Sequence, residues 1–181
     1  MKFQFVKTVD VEPLAAQIEA HPELWNTQGY RKTMEPHAQM SDIWVRYNQI
    51  ERLGPAFNDE HVPMWYPAWK ELPALRDIIF RLMADVDGEM LGGVLITRIP
   101  AGCEIRPHID RGWHVDYYDK FYVQLKSEPG ADFCCGDEVL NPKPGEVWRF
   151  DNRDLHWVIN NSPGDRMTLI VCIRTDKYQE H

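Results

Sequence analysis

The stretch Val147-Trp148-Arg149-Phe150, Asp151-Asn152-Arg153-Asp154, Leu155-His156-Trp157-Val158-Ile159, Asn160-Asn161-Ser162-Pro163-Gly164-Asp165 leads into residues 166–174. It reads as strand, polar turn, strand, Pro-Gly turn, strand. In its last segment Met167, Leu169, Val171 and Ile173 share one face, and Arg166, Thr168, Ile170 and Cys172 share the other. That is the period of two that a pleated strand imposes. Toward the N-terminus the same punctuation continues. Residues 93–99 form a β-rich run closed by Pro100-Ala101-Gly102, and residues 104–110 form the next. In residues 120–125 Phe121, Val123 and Leu125 alternate with Lys120, Tyr122 and Gln124. Short segments at 132–135 and 138–140 precede the turn cluster Asn141-Pro142-Lys143-Pro144-Gly145.

The first 92 residues are patterned differently. Leu14 and Ile18 lie at helical spacing in residues 12–23, and Leu75, Ile78, Ile79, Leu82 and Met83 do so in residues 72–91, with Pro73 near the start. Residues 43–47 look like a strand, and residues 54–69, with Pro55, Pro63 and Pro67, like an irregular loop. Short strands at regular spacing indicate an all-β sandwich or barrel. The expected fold is mainly β: one domain over residues 1–181, with a double-stranded β-helix (a cupin-like jelly roll) at 93–176 and an α-helical N-terminal buttress at 1–92.

Within that frame Pro107-His108-Ile109-Asp110 is followed, farther along, by His156 and Arg166. Two imidazoles and a carboxylate are a ligand set for ferrous iron that leaves coordination positions open. Alternation puts His108 and Asp110 on one side of a strand, and His156 heads a strand that should run beside it. Arg166, on the strand after that, offers a fork for a dicarboxylate cosubstrate. A second His-x-Asp, His114-Val115-Asp116, lies in residues 110–118, where charges and aromatics mix as in the mouth loop of a cavity. His114 either touches substrate or sits on the surface. Trp113, Tyr117 and Trp148 either line the pocket or pack. The polar face of Lys120, Tyr122 and Gln124 either meets solvent or lines a polar cavity.

The 181 residues carry a net charge of −8, with 44% hydrophobic and 27% charged residues, which suits a folded globular chain. No basic stripe points to nucleic acid. No apolar run approaches the roughly 20 residues that span a bilayer, and the start does not read as a signal peptide. Cys103, Cys134, Cys135 and Cys172 show no Cys-x-x-Cys spacing, so plain core cysteines and a reducing cytoplasm are expected. The oligomeric state is open, a homodimer being the commonest assembly.

Three segments carry a family resemblance: Pro100-Ala101-Gly102-Cys103-Glu104-Ile105-Arg106-Pro107-His108, then Trp148-Arg149-Phe150-Asp151-Asn152 with His156 and Asn160 downstream, then Arg166 with Leu169-Ile170-Val171. Over residues 90–175 the chain resembles the aspartyl/asparaginyl β-hydroxylases, iron(II)- and 2-oxoglutarate-dependent oxygenases on a double-stranded β-helix. The resemblance implies that His108 and His156 ligate iron and that Arg166 pairs with the distal carboxylate of 2-oxoglutarate. It sets Thr97 beside that carboxylate and Lys120 and Tyr122 near the cosubstrate. Some members have glycine where Asp110 stands; with the carboxylate present, a three-ligand site is expected. Trp113, His114, Trp148 and Asn160 stand as expected substrate contacts. The reaction implied is O2-dependent hydroxylation of an unactivated C–H in an amino acid, short peptide or related small molecule. Two alternatives use the same fold: a non-oxygenase metal cupin, which needs no buried arginine, and a non-catalytic binding module, which needs neither metal nor cosubstrate pocket.

Overall fold

The computed structural model describes residues 1–54 and 58–175. Pro55 of the expected loop and the expected domain limit at residue 176 lie outside them. Two sheets, antiparallel at every pairing, form the frame. The larger runs in the order β1 (Phe3–Thr8), β9 (Glu146–Phe150), β6 (Asp119–Lys126), β11 (Arg166–Arg174), β4 (Met90–Ile99), β2 (Ser41–Asn48), β3 (Pro63–Trp65). The smaller runs β5 (Glu104–His108), β10 (His156–Asn160), β7 (Ala131–Cys135), β8 (Glu138–Leu140). This is the double-stranded β-helix read from the sequence.

The period of two in β11 explains the layering. Its Met167, Leu169, Val171 and Ile173 join Phe121, Val123 and Leu125 of β6 in a core against α1 (Glu12–Ala20) and α3 (Leu75–Asp85). Leu14, Ile18, Leu75, Ile79 and Leu82 supply the helical side. Burying one such leucine fully, as at Leu169, is worth about 1.5–3 kcal/mol. The opposite face of the large sheet looks toward the small one. There Phe3, Ile99 and Phe150 meet Ile105, Phe133 and Val158 in an inter-sheet core. The polar face of β6 therefore lines the interior rather than meeting solvent.

Several elements depart from expectation. The helix expected over 72–91 is confined to α3, preceded by the short α2 (Ala68–Glu71). It stops because Asp87 takes φ +52° and the Gly88 N–H closes on the Met83 carbonyl at 2.7 Å. A side chain at Gly88 would meet Ile173. The chain is thereby released early enough for β4 to begin at Met90, paired with Arg174. The first helix ends at Ala20, before Pro22, which cannot donate to a continuing helix. β1 and β3 were not expected. Nor were the 3-10 turns Gly29–Thr33 and Glu35–His37, the second of which packs on β5. Strand β5 stops at His108 rather than reaching Asp110. The expected mouth loop holds a short helix, α4 (Trp113–Tyr117), entered through Gly112 at φ +102°. Among the described residues, no helix is long and apolar enough to cross a membrane.

Candidate active site

His108 closes β5, His156 opens β10, and the sheet register sets them directly opposite one another. Their ring centroids are 4.3 Å apart. Each ring is oriented by its own backbone: Nδ1 of His108 lies 2.7 Å from the Arg106 carbonyl, and Nδ1 of His156 lies 2.8 Å from the Asp154 carbonyl. A carbonyl only accepts, so each Nδ1 carries the proton and each Nε2 turns a lone pair inward. Those two Nε2 atoms lie 3.6 and 4.0 Å from Oδ1 of Asp110. One ligand atom from each residue falls within 4.8 Å of the others, so the three could hold a divalent cation together. Asp110 stands beyond the strand end. Its N–H donates to the Asn152 carbonyl at 3.2 Å, and its Oδ2 accepts from Asn152 Nδ2 at 3.2 Å and from Lys120.

Arg166 approaches from the large sheet and is buried. Its Nη1 donates to Oγ1 of Thr168 at 2.7 Å, and that hydroxyl donates to Oε1 of Gln124 at 3.2 Å. The other edge of the fork, Nε and Nη2, is buried without a partner. Two orphaned guanidinium donors in a closed interior are costly to folding. Their geometry is that of a bidentate carboxylate clamp. Both ends open into one cavity of about 230 Å³.

The charges follow from this burial. Burial would raise the Asp110 carboxyl, but the Lys120 ammonium and the imidazoles of His156 and His108 outweigh it and hold it well below the usual carboxylate range. Burial would lower Lys120, and Asp110 reverses that. Burial takes His156 down to about 4, so it is neutral at pH 7, as a metal ligand must be. Burial also takes Arg166 down to about 10, where it stays cationic, and pushes Tyr122 up to about 12.

Of the residues singled out in the sequence, His108, Asp110, His156, Arg166, Thr97, Lys120, Tyr122 and His114 line this cavity. Three expected substrate contacts do not. Trp113 stacks on Tyr117 at 4.2 Å. Trp148 donates from Nε1 to Glu146 at 3.0 Å and packs edge-on to Phe5. Asn160 is fully buried and spends its amide on the chain itself: Nδ2 donates to the Ile99 and Gly164 carbonyls, both at 2.8 Å, and Oδ1 accepts from Ser162 N–H and Oγ. It braces a turn. Arg31 and His37 line the cavity unforeseen, because they arrive on 3-10 turns that leave no periodic signal. Gln124 and Thr168 were legible only as sharing the Arg166 side of their strands.

A double-stranded β-helix with two histidines, an aspartate and a buried arginine around one cavity defines an iron(II)- and 2-oxoglutarate-dependent hydroxylase. Residues 56–175 match the family described as Aspartyl/Asparaginyl beta-hydroxylase, and the chain belongs to it. No curated protein matches the sequence. Solved structures share the fold at low identity. A 2OG-Fe(II) oxygenase-family oxidoreductase from Burkholderia pseudomallei is 13% identical, with 96% of each chain covered and a TM-score of 0.57. A Trichoplax adhaerens prolyl hydroxylase, in complex with a hypoxia-inducible-factor peptide fragment, is 14% identical, with 97% of this chain and 84% of that chain covered and a TM-score of 0.59. HygX from Streptomyces hygroscopicus, with nickel, 2-oxoglutarate and hygromycin B bound, is 13% identical, with 99% and 85% covered and a TM-score of 0.56.

Proposed function

We propose that His108, Asp110 and His156 hold the iron and that Arg166 clamps the distal carboxylate of 2-oxoglutarate. The observation that carries the proposal is the unpartnered Nε and Nη2 pair of Arg166, buried in the cavity that the three ligand candidates share. A non-oxygenase cupin has no use for such a pair. Iron and 2-oxoglutarate, when bound, supply the O2 activation that exchanges a C–H for a C–OH and yields succinate and CO2.

The chain's own residues do the rest. Thr168, pinned by Gln124, takes Nη1 of Arg166 and leaves the Nε/Nη2 edge facing the diacid. Thr97, across from Thr168 in the β4–β11 register, flanks the same carboxylate. Lys120 and Tyr122 face the cosubstrate from β6. Lys120 also offsets the charge of Asp110 while the site lacks metal. Leu95, Ile105, Phe133 and Val158 give the cavity apolar walls that exclude water from the reacting centre.

The substrate is an amino acid, a short peptide or a related small molecule. The cavity, about 230 Å³, is below the roughly 300–1,000 Å³ typical of drug-sized ligands. It suits a small diacid with a side-chain-sized group at the mouth. The peptide in the Trichoplax structure and the antibiotic in HygX are examples from the same fold. The cysteines are free, which fits a cytoplasmic enzyme.

Anaerobic titration of the metal-free protein with Fe(II) and 2-oxoglutarate tests the assignment. A visible charge-transfer band that needs both, and is lost in His108→Ala, is the expected result. Iron binding without a band would favour the metal-cupin alternative, and binding of neither would favour a non-catalytic module.

A further inference from the structure

Four cations line the cavity, Arg31, Lys120, Arg166 and Arg111, against one carboxylate, Asp110. This surplus sits in a chain whose net charge is −8, so composition does not explain it. Iron(II) and the 2-oxoglutarate dianion cancel in charge, so loading the centre leaves the surplus in place. Asp110 offsets Lys120, and the diacid occupies Arg166. Arg111 is exposed at the rim and solvated. Arg31 remains: buried, backed by Asp42 outside the lining, and facing the cavity from outside the family-matched span.

Arg31 is mounted firmly. It lies on the 3-10 turn Gly29–Thr33, and the next turn lays His37 against the His108 ring at a centroid distance of 5.0 Å. Behind it Asp42, fully buried, accepts from Arg31 Nη1 at 3.3 Å and from Trp44 Nε1 at 3.0 Å. That first contact is long for a charge-assisted bond, which normally measures about 2.7–2.9 Å. Asp42 therefore orients the guanidinium without saturating it.

We infer that Arg31 is a specificity-determining residue that anchors an oxyanion group of the substrate, a carboxylate or a phosphoryl group, at the mouth of the iron cavity. The inference rests on the proposed function for what the cavity does. It is independent of that proposal in what Arg31 binds. An anionic substrate is drawn in by the rim charge of Arg111 and then held by a guanidinium whose position Asp42 fixes.

The test uses full-length protein loaded with Mn(II) and 2-oxoglutarate, and observes probe ligands by NMR line broadening from the paramagnetic ion. Benzoate and inorganic phosphate are compared with benzamide. At least one anion is expected to bind about tenfold or more tighter than the amide, the loss typical of one charge-assisted contact. Arg31→Gln is expected to abolish that preference, while Arg31→Lys retains part of it. Which anion broadens more tells carboxylate from phosphoryl; either sustains the inference. Equal broadening by benzoate, phosphate and benzamide, or broadening by none of them, overturns it. So does a preference that survives Arg31→Gln, or a parallel loss of 2-oxoglutarate affinity, which would put Arg31 on the cosubstrate. If Arg31→Gln does not fold, the acid-over-amide preference of the native protein and of Arg31→Lys decides. Failure of the Fe(II)–2-oxoglutarate band in native protein, by contrast, would overturn the proposed function and not the oxyanion preference.

Discussion

Replacing Arg166 with methionine is expected to move two properties in opposite directions. In the ligand-free protein Arg166 is a burden. Burial lowers its pKa from 12.5 to about 10, a penalty on the charged form of about 3 kcal/mol. That penalty reflects the two donors left without partners. Methionine has a comparable unbranched length and no polar atoms, so it fills the space without that cost. Thr168 loses the 2.7 Å bond from Nη1 but keeps Gln124. This returns about 1 kcal/mol of the gain. The net is about 2 kcal/mol in favour of the variant. In a chain of this size that raises the melting temperature by about 4–8 °C. Cosubstrate binding goes the other way. A buried carboxylate deprived of its cation loses about 3–5 kcal/mol, or roughly 10²- to 10⁴-fold in Kd. Thermal melts with and without 2-oxoglutarate, at saturating Mn(II), read both. The native protein should gain from the diacid and the variant should not, with Mn(II) affinity alike in the two. A variant less stable than native without ligand, or one that binds 2-oxoglutarate within about threefold of native, would refute the reasoning.

Lys120→Met strands the partly buried Asp110 carboxylate, so the metal-free protein is expected to lose about 3 kcal/mol in urea melts and to regain most of it in Mn(II); a loss untouched by the metal would mean that Asp110 is no ligand. Asn160→Ala breaks the brace at residues 160–164 and is expected to cost about 3 kcal/mol while 2-oxoglutarate affinity stays native, whereas a folded variant with lost affinity would put Asn160 back in the site. His37 and His114 have folded pKa values of about 2 and about 3 against 6.5 unfolded, so their stabilising contribution is full above 6.5 and is lost as pH falls from there. Each adds up to about 1.4 kcal/mol per pH unit to that loss. Urea midpoints at about pH 7 and about pH 5 should show a shallower fall in His114→Phe than in native protein; identical slopes would count against burial as the cause.

The C-terminal half was largely legible because β-periodicity and turn chemistry agree there. Pro100-Ala101-Gly102 and Asn160 to Asp165 punctuate strands whose faces alternate cleanly, and alternation put Arg166, Thr168 and Gln124 on the correct side. The limits of β5 were less legible: Asp110 reaches the metal candidates from beyond the strand, held by Asn152, a tertiary contact with no local signal. The N-terminal half hid more. β1 is a strand because β9 is there to pair with it. Arg31 is buried because Asp42 stands behind it and the next turn, Glu35–His37, packs on β5. Trp113 and Trp148 pack on Tyr117 and Phe5, since an aromatic ring beside a site satisfies itself just as well against another ring.

His108, His156 and the Asp110 that follows β5 belong to the small sheet's side, whereas Arg166, Thr97, Lys120 and Tyr122 stand on the large one. The two jaws of the site are thus two separate layers, and what sets the gap between them is the wedge of Phe133, Phe150 and Ile105. The fold acts as a caliper, its opening fixed by apolar spacers between the layers rather than by the charged residues that grip the diacid. Phe150→Leu, thinning the wedge, would then shift the preferred chain length among 2-oxo diacids toward the four-carbon homologue, without altering a single charge.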